Sequence, residues 1–118
     1  MFSKDAAVLQ GTIELLVLKR LSWGPMHGYG IASWIETATD DVLRVEEGSL
    51  YPALYRMVQK RWIKGEWGIS ENNRRAKFYR LTKAGEREFE VQANGWLRLS
   101  HAVSRAVTAS NLPGGGAR

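Results

Sequence analysis

Between Ile13 and Leu21 the chain is apolar at Ile13, Leu15, Leu16, Val17, Leu18 and Leu21, interrupted by Glu14, Lys19 and Arg20. At the helical period these positions cover more than one face. That predicts a first helix over Leu9–Ser22 that is buried on more than one side. In so short a chain, burial of that kind implies contact with both the domain core and a second copy, and Leu15 and Leu18 are placed at the copy interface. Met1–Val8 carry no strong pattern and are expected to fray. Trp23-Gly24-Pro25 is a stop and a turn. A second helix is expected from Met26 to about Thr39, on the stripe Ile31, Ile35 and Ala38. His27-Gly28-Tyr29-Gly30 opens it. Two glycines in a first turn weaken a helix. They fit a close approach of a backbone or a phosphate, or else plain tight helix packing. Val42, Leu43 and Val45 then suit a brief β-strand.

In Glu47–Arg61 the apolar residues Leu50, Leu54, Met57 and Val58 recur at steps of three and four, one face of an amphipathic third helix. The opposite face carries Ser49, Tyr51, Tyr55, Arg56, Gln59 and Lys60, all able to hydrogen-bond a partner. Gly48-Ser49 supplies the expected N-cap. Pro52 is expected in the first turn, where a missing N–H costs little. The pattern then changes period. Ile63, Trp67 and Ile69, followed by Phe78, Tyr79 and Leu81, form two short β-type runs. Asn72-Asn73 between them is turn chemistry, because Asn tolerates left-handed backbone angles. The result is a β-hairpin whose tip carries Arg74 and Arg75.

Three helices followed by a basic hairpin is the order of a winged helix-turn-helix. Its third helix enters the DNA major groove, and its hairpin tip rides the backbone or the minor groove. On this reading Ser49, Tyr51, Pro52 and Tyr55 lie near the groove. Tyr29, Arg56, Arg74, Arg75 and Lys77 meet phosphates, with one tip arginine entering the minor groove.

Beyond the hairpin, Thr82 is placed to cap a helix running to about Ala109. Early Glu86, Glu88 and Glu90 and later Arg98 and Arg105 complement its dipole. Phe89, Trp96, Leu99, Val103 and Ala106 repeat at a heptad-like spacing. A helix of about 28 residues is roughly 42 Å long, whereas the preceding segment folds to a body only about 30 Å across. Its apolar stripe therefore needs a partner, and a two-fold homodimer through Phe89, Trp96, Leu99, Val103 and Val107 is expected. Packing onto a different protein is the alternative. If Trp96 faces its symmetry mate, two indoles sandwich a planar aromatic ligand; otherwise it is an ordinary dimer-core residue. Gly95 beside it allows close approach or a bend.

The expected class is mainly α with a small β-hairpin: a winged helix-turn-helix domain over residues 1–81, a C-terminal dimerisation helix over 82–110 and a flexible tail over 111–118. Charge sharpens this picture. The chain carries +5 overall, but Arg56–Lys83 alone holds nine cations (Arg56, Lys60, Arg61, Lys64, Arg74, Arg75, Lys77, Arg80 and Lys83) against Glu66 and Glu71. A concentrated basic zone is the electrostatic footprint of a polyanion. From Glu36 to Glu47 the sign reverses. With no cysteine, disulfides and thiolate metal sites are excluded, and a reducing cytoplasm fits. His27 and His101 stand in different regions, so no metal or other cofactor is expected. No nucleophile–base pair or phosphate loop marks an enzyme, and no run spans a bilayer. The rival to DNA binding is a winged helix that serves only as a protein-interaction module.

Several blocks carry a family resemblance. They are Gly11-Thr12-Ile13-Glu14-Leu15-Leu16-Val17-Leu18, Gly28-Tyr29-Gly30-Ile31, Glu47-Gly48-Ser49-Leu50-Tyr51-Pro52-Ala53-Leu54, and Arg75-Ala76-Lys77-Phe78-Tyr79-Arg80-Leu81-Thr82-Lys83-Ala84-Gly85. In order and spacing they resemble the PadR family of bacterial winged-helix transcriptional regulators, and the Gly-Ser-Leu-Tyr-Pro-Ala-Leu block is the most specific. The resemblance implies a homodimer that binds near-palindromic double-stranded operators, usually to repress. It also implies release in some members when a small aromatic effector binds between subunits. The C-terminal helix is the least similar part.

Overall fold

The computed structural model describes residues 6–112, with side chains from residue 11 onward. The order is α1 (Ala6–Leu21), β1 (Met26–His27), α2 (Gly28–Ala38), α3 (Glu47–Gln59), β2 (Ile63–Ile69), β3 (Arg75–Leu81) and α4 (Lys83–Val107). This is the expected winged helix-turn-helix with a long last helix. The fraying expected of Met1–Val8 is corrected at Ala6–Val8, which are already helical; residues 1–5 and 113–118, the latter most of the expected tail, lie outside the described residues.

The core forms where the apolar stripes of three helices converge. Ile13, Val17, Leu18 and Leu21 come from α1, Ile31 and Ile35 from α2, and Leu50, Ala53, Leu54 and Met57 from α3, closed by Val45, Ile63 and Tyr79. Each large aliphatic side chain taken out of water contributes about 1.5–3 kcal/mol. Leu18 is completely buried inside its own chain, so its assignment to a copy interface is withdrawn. Leu15 is half-buried.

Two helix ends show how local chemistry shapes the turn that follows. At the end of α3, Trp62 N–H donates to the Met57 carbonyl at 3.0 Å and Arg61 N–H to the Val58 carbonyl at 2.9 Å. That pair of bonds is the Schellman arrangement, and it holds Arg61 at φ 63°, a left-handed conformation more often given to Gly. The end of α2 is built alike. Asp41 N–H donates to the Glu36 carbonyl at 2.8 Å and Asp40 N–H to the Thr37 carbonyl at 3.2 Å. Asp40 and Asp41 have φ 51° and 63°. The segment that follows joins no sheet, so the strand expected through Val42, Leu43 and Val45 does not form. Val45 instead plugs the core while Val42 stays exposed.

The start of α3 also departs from expectation. Its N-cap is Glu46, with no side-chain capping bond, and Ser49 lies inside the helix. Pro52 is the sixth residue of α3, past the first turn, so its ring removes one intrahelical donor.

The second helix begins later than expected, because Met26 and His27 are a strand. The sheet order is β1-β3-β2, with Met26 opposite Tyr79 and His27 opposite Phe78. The hairpin is antiparallel from Ile63↔Leu81 to Ile69↔Arg75. Its turn closes with Asn73 N–H donating to the Ser70 carbonyl at 2.9 Å, and Asn73 takes φ 60°, the angle expected of an Asn in this turn.

Thr82 fastens α4 to the end of α3. Its hydroxyl oxygen accepts from Gly85 N–H at 3.0 Å, capping α4, while the hydroxyl donates to the Arg61 carbonyl at 2.6 Å. Phe89 packs against the core of its own chain, with the Lys19 ammonium 5.7 Å from its ring. Beyond it α4 runs clear of the body, and the molecule measures 63 × 29 × 23 Å.

Gly85 is buried at this junction, and a Cβ there meets the backbone carbonyl of Trp62. Ala in place of Gly within a helix normally gains about 1 kcal/mol. Here the clash outweighs that gain, because a backbone atom cannot swing aside. Gly85→Ala is expected to lose about 1–3 kcal/mol, read as a lower urea midpoint at unchanged slope.

Candidate nucleic-acid interface

Helix α3 buries Leu50, Ala53, Leu54 and Met57. That register fixes the opposite face, where Ser49, Pro52 and Tyr55 are exposed. Tyr55 is 67% exposed and Tyr51, leaning toward the body, 44%. Tyr29 stands out from the first turn of α2 at 78%. Between α2 and the start of α3 lies an open groove of about 470 Å³ whose lining includes Tyr29, Ser33, Glu36, Glu46, Glu47 and Tyr51. Its carboxylates gather beside the positive end of the α3 dipole. The acidic stretch legible in the sequence thus stands at the entrance of α3, where it repels phosphate.

Gly28 and Gly30 have a packing explanation. A Cβ at Gly28 approaches the Tyr51 hydroxyl to 2.7 Å, and one at Gly30 meets the Met26 thioether. The two small residues let the tyrosine and the methionine lie against the opening turn of α2.

His27 is the local hub. It caps α2, with its Nδ1 accepting from Gly30 N–H at 3.0 Å. The ring proton therefore sits on Nε2, which faces the Glu71 carboxylate at 3.5 Å. The imidazole also meets the Phe78 ring edge-on at 5.2 Å. Glu71 is held below the usual carboxylate range, by its own backbone N–H first and by His27 second. An acid at the hairpin turn is thereby directed toward α2 instead of competing with the tip arginines.

Alternation along the hairpin sorts its side chains. Trp67 faces Lys77 across the strands, Gly65 faces Tyr79, and Ile69 faces Arg75, so these six share one side of the sheet. At its base this side is core: Tyr79 is buried, and its phenol pKa is raised, by burial first and by the nearby Tyr51 second. Farther out it is cationic and exposed. Lys77 lies across Gly65, with its ammonium 6.0 Å from the Tyr79 ring. The Arg75 guanidinium stacks 4.5 Å from the Trp67 ring. Tyr51, Tyr79, Lys77, Trp67 and Arg75 make a continuous run from the third helix to the wing, so Tyr51 and Arg75 stand on a common side.

The structure separates the basic zone into exposed charges and ion-paired ones. Arg74, Arg75 and Lys77 are exposed. Arg56, expected at a phosphate, points the other way: its Nε donates to Glu14 Oε2 at 3.2 Å, and Glu14 is only 8% exposed. Arg56 ties α3 to α1, because a buried carboxylate requires a charged partner. Arg80 pairs with Glu66 at 3.1 Å on the other side of the hairpin, a half-exposed bridge of about 0–1 kcal/mol.

Among the described residues no group of three or more His, Cys, Asp or Glu is arranged to hold a metal, and no helix is long and apolar enough to cross a membrane. Of the residues placed at a copy interface, Trp96, Leu99, Val103 and Val107 are all exposed on α4. Among the described residues, no atom outside its own helix turn lies within 4 Å of where a Cβ at Gly95 would stand.

Known proteins share this fold. A 37.1 kDa uncharacterized protein in transposon TN4556 of Streptomyces fradiae is 38% identical over 99 residues, or 84% of this chain, while the chain spans only 27% of that relative. A transcriptional regulator from Clostridium thermocellum superposes with a TM-score of 0.74 at 26% identity, covering 84% of this chain and 96% of that one. Bacillus subtilis PadR, solved in complex with operator DNA, shares the fold with a TM-score of 0.62 at 22% identity, covering 70% of this chain and 46% of that one. The model of the PadR-like transcriptional regulators matches residues 17–91, from the middle of α1 into α4, and the chain belongs to that family.

Proposed function

We propose that this regulator is a cytoplasmic homodimer that binds a near-palindromic operator and represses from it. The observation that carries the reading is the shared outward side of Tyr51, Tyr55 and the wing cations. A helix in the major groove with a cationic hairpin beside it requires that arrangement. Ser49, Tyr51, Pro52 and Tyr55 approach base edges, and Tyr29, Arg74, Arg75 and Lys77 approach phosphates. The complex of Bacillus subtilis PadR with operator DNA supports the same use of the same fold. The division at Thr82 follows from the mechanics. The body up to Leu81 reads, and α4 pairs.

Pairing rests on the exposed stripe of α4. Trp96, Leu99, Val103 and Val107 lie on a helix of 25 residues that extends past its own body. A second copy of the same stripe covers it, joined by Leu15 and the outer part of Phe89. It also sets the two reading helices about 34 Å apart, one DNA turn. Trp96 beside Gly95 is the place where two indoles clasp a flat aromatic effector, and an effector there shifts the spacing of the reading helices.

Two outcomes check the proposal. Selection from random duplexes should return a two-fold motif. On that duplex three wing cations per subunit neutralise about six phosphates, giving a slope of log affinity against log salt near −5; Arg74→Ala/Arg75→Ala should flatten it to about −2. A double variant that keeps the parent's affinity and slope refutes the phosphate role. Separately, Leu99→Glu/Val103→Glu should sediment as a folded monomer and lose affinity for the two-fold site by about a hundredfold or more, because one half-site then binds alone. A variant that remains dimeric removes α4 from the interface.

A further inference from the structure

The outer part of the hairpin holds two large apolar side chains that neither the core nor the phosphate contacts above use. Trp67 is 61% exposed and Ile69 63%. They stand two residues apart on β2, on the side that carries Arg75 and Lys77. That side has no carboxylate between Ile63 and Leu81. Glu66 is on the reverse, paired with Arg80, and Glu71 is turned to His27. Apolar surface alternating with cations, with acids removed, is complementary to a strand of DNA, in which apolar deoxyribose rings alternate with phosphates.

We infer that Trp67, with Ile69 beside it, is a further DNA-contacting element: its indole packs on deoxyribose at the wall of the minor groove flanking the major groove that α3 enters. The inference rests on the DNA-binding reading above and adds to it a contact that carries no charge. Distance supports it. Ile63 is buried beside α3, and four residues of strand reach about 13 Å farther, close to the roughly 12 Å width of the major groove. A wing of that length delivers Trp67 to the next wall. The Arg75 guanidinium stacked at 4.5 Å on the indole arrives already ordered for the adjacent phosphate, and it covers one part of the ring while leaving the rest free. A protein partner fits less well, because cations flank the apolar pair with no acid among them.

The test uses the intact protein and a duplex recovered by selection from a random library. Affinity is measured across a salt series for the parent, Trp67→Ala, Trp67→Phe and Arg75→Ala, and hydroxyl-radical footprints report which sugars are covered. Trp67→Ala is expected to lose about tenfold in affinity with the parent's salt slope, because a sugar contact releases no counterion. Protection should disappear at sugars flanking each half-site. Trp67→Phe should keep most of the affinity, and it serves as the folded control if the Ala variant is unstable. Arg75→Ala should instead flatten the slope by about two per dimer.

Parent affinity and an unchanged footprint in Trp67→Ala, with Arg75→Ala still weakened, overturn the sugar contact and leave the DNA-binding reading standing. A Trp67→Ala variant whose slope falls as much as that of Arg75→Ala also overturns it, because the indole then acts only as a prop for the arginine. A parent with no selective affinity for any duplex removes the DNA-binding reading itself, and the apolar pair then belongs to a protein surface.

Discussion

The pairing of a two-residue strand with the middle of the hairpin governs the geometry of the reading surface. Met26 and His27 run antiparallel to Phe78 and Tyr79, and His27 is also the cap of α2. Backbone bonds and an imidazole therefore fix the wing against the helix-turn-helix unit. A free two-stranded hairpin is marginal in water. Pairing on its second edge and packing of Tyr79 into the core make this one a rigid arm. The side chain of Tyr51 is positioned by the same arrangement, since it lies between the opening turn of α2 and Tyr79.

Electrostatics follow from that frame. Nine cations in one stretch of sequence are not nine equivalent phosphate contacts. Arg56 is consumed by a buried carboxylate and Arg80 by a neighbour across the hairpin, while Arg74, Arg75 and Lys77 remain on the exposed wing. The acids are placed with equal effect. Glu71 is drawn inward, and Glu36, Glu46 and Glu47 collect at the groove before α3. Attraction for a polyanion is thus concentrated at the wing and away from the start of α3.

Helix α4 answers to a different constraint. Its beginning is fixed to the body by Thr82, by the buried Gly85 and by Phe89, whereas on its later part Trp96, Leu99, Val103 and Val107 are exposed. In the proposed dimer, a lever fastened at one end and apolar at the other would carry a change at its far end to the orientation of the body. That coupling is what a ligand-responsive form of the proposed dimer uses.

Sequence alone determined the elements whose signal is local. The period of Leu50, Leu54 and Met57 set the register of α3, Asn73 marked the left-handed turn, Thr82 capped α4, and the length of α4 exceeded any surface its own body offers. Tertiary structure decided whatever depends on a partner distant in the chain. Met26-His27 is too short to show a period of two, so its strand exists only because Phe78 and Tyr79 come to it. Leu18 looks like any outward leucine until three helices close over it. Arg56 reads as a free cation until Glu14, forty-two residues away, is buried beside it and needs its charge. Likewise Trp67 reads as an ordinary strand residue, and only the finished sheet shows that its side is core at the base, around Tyr79, and exposed beside the cations farther out, because a pleat assigns faces while neighbours assign burial.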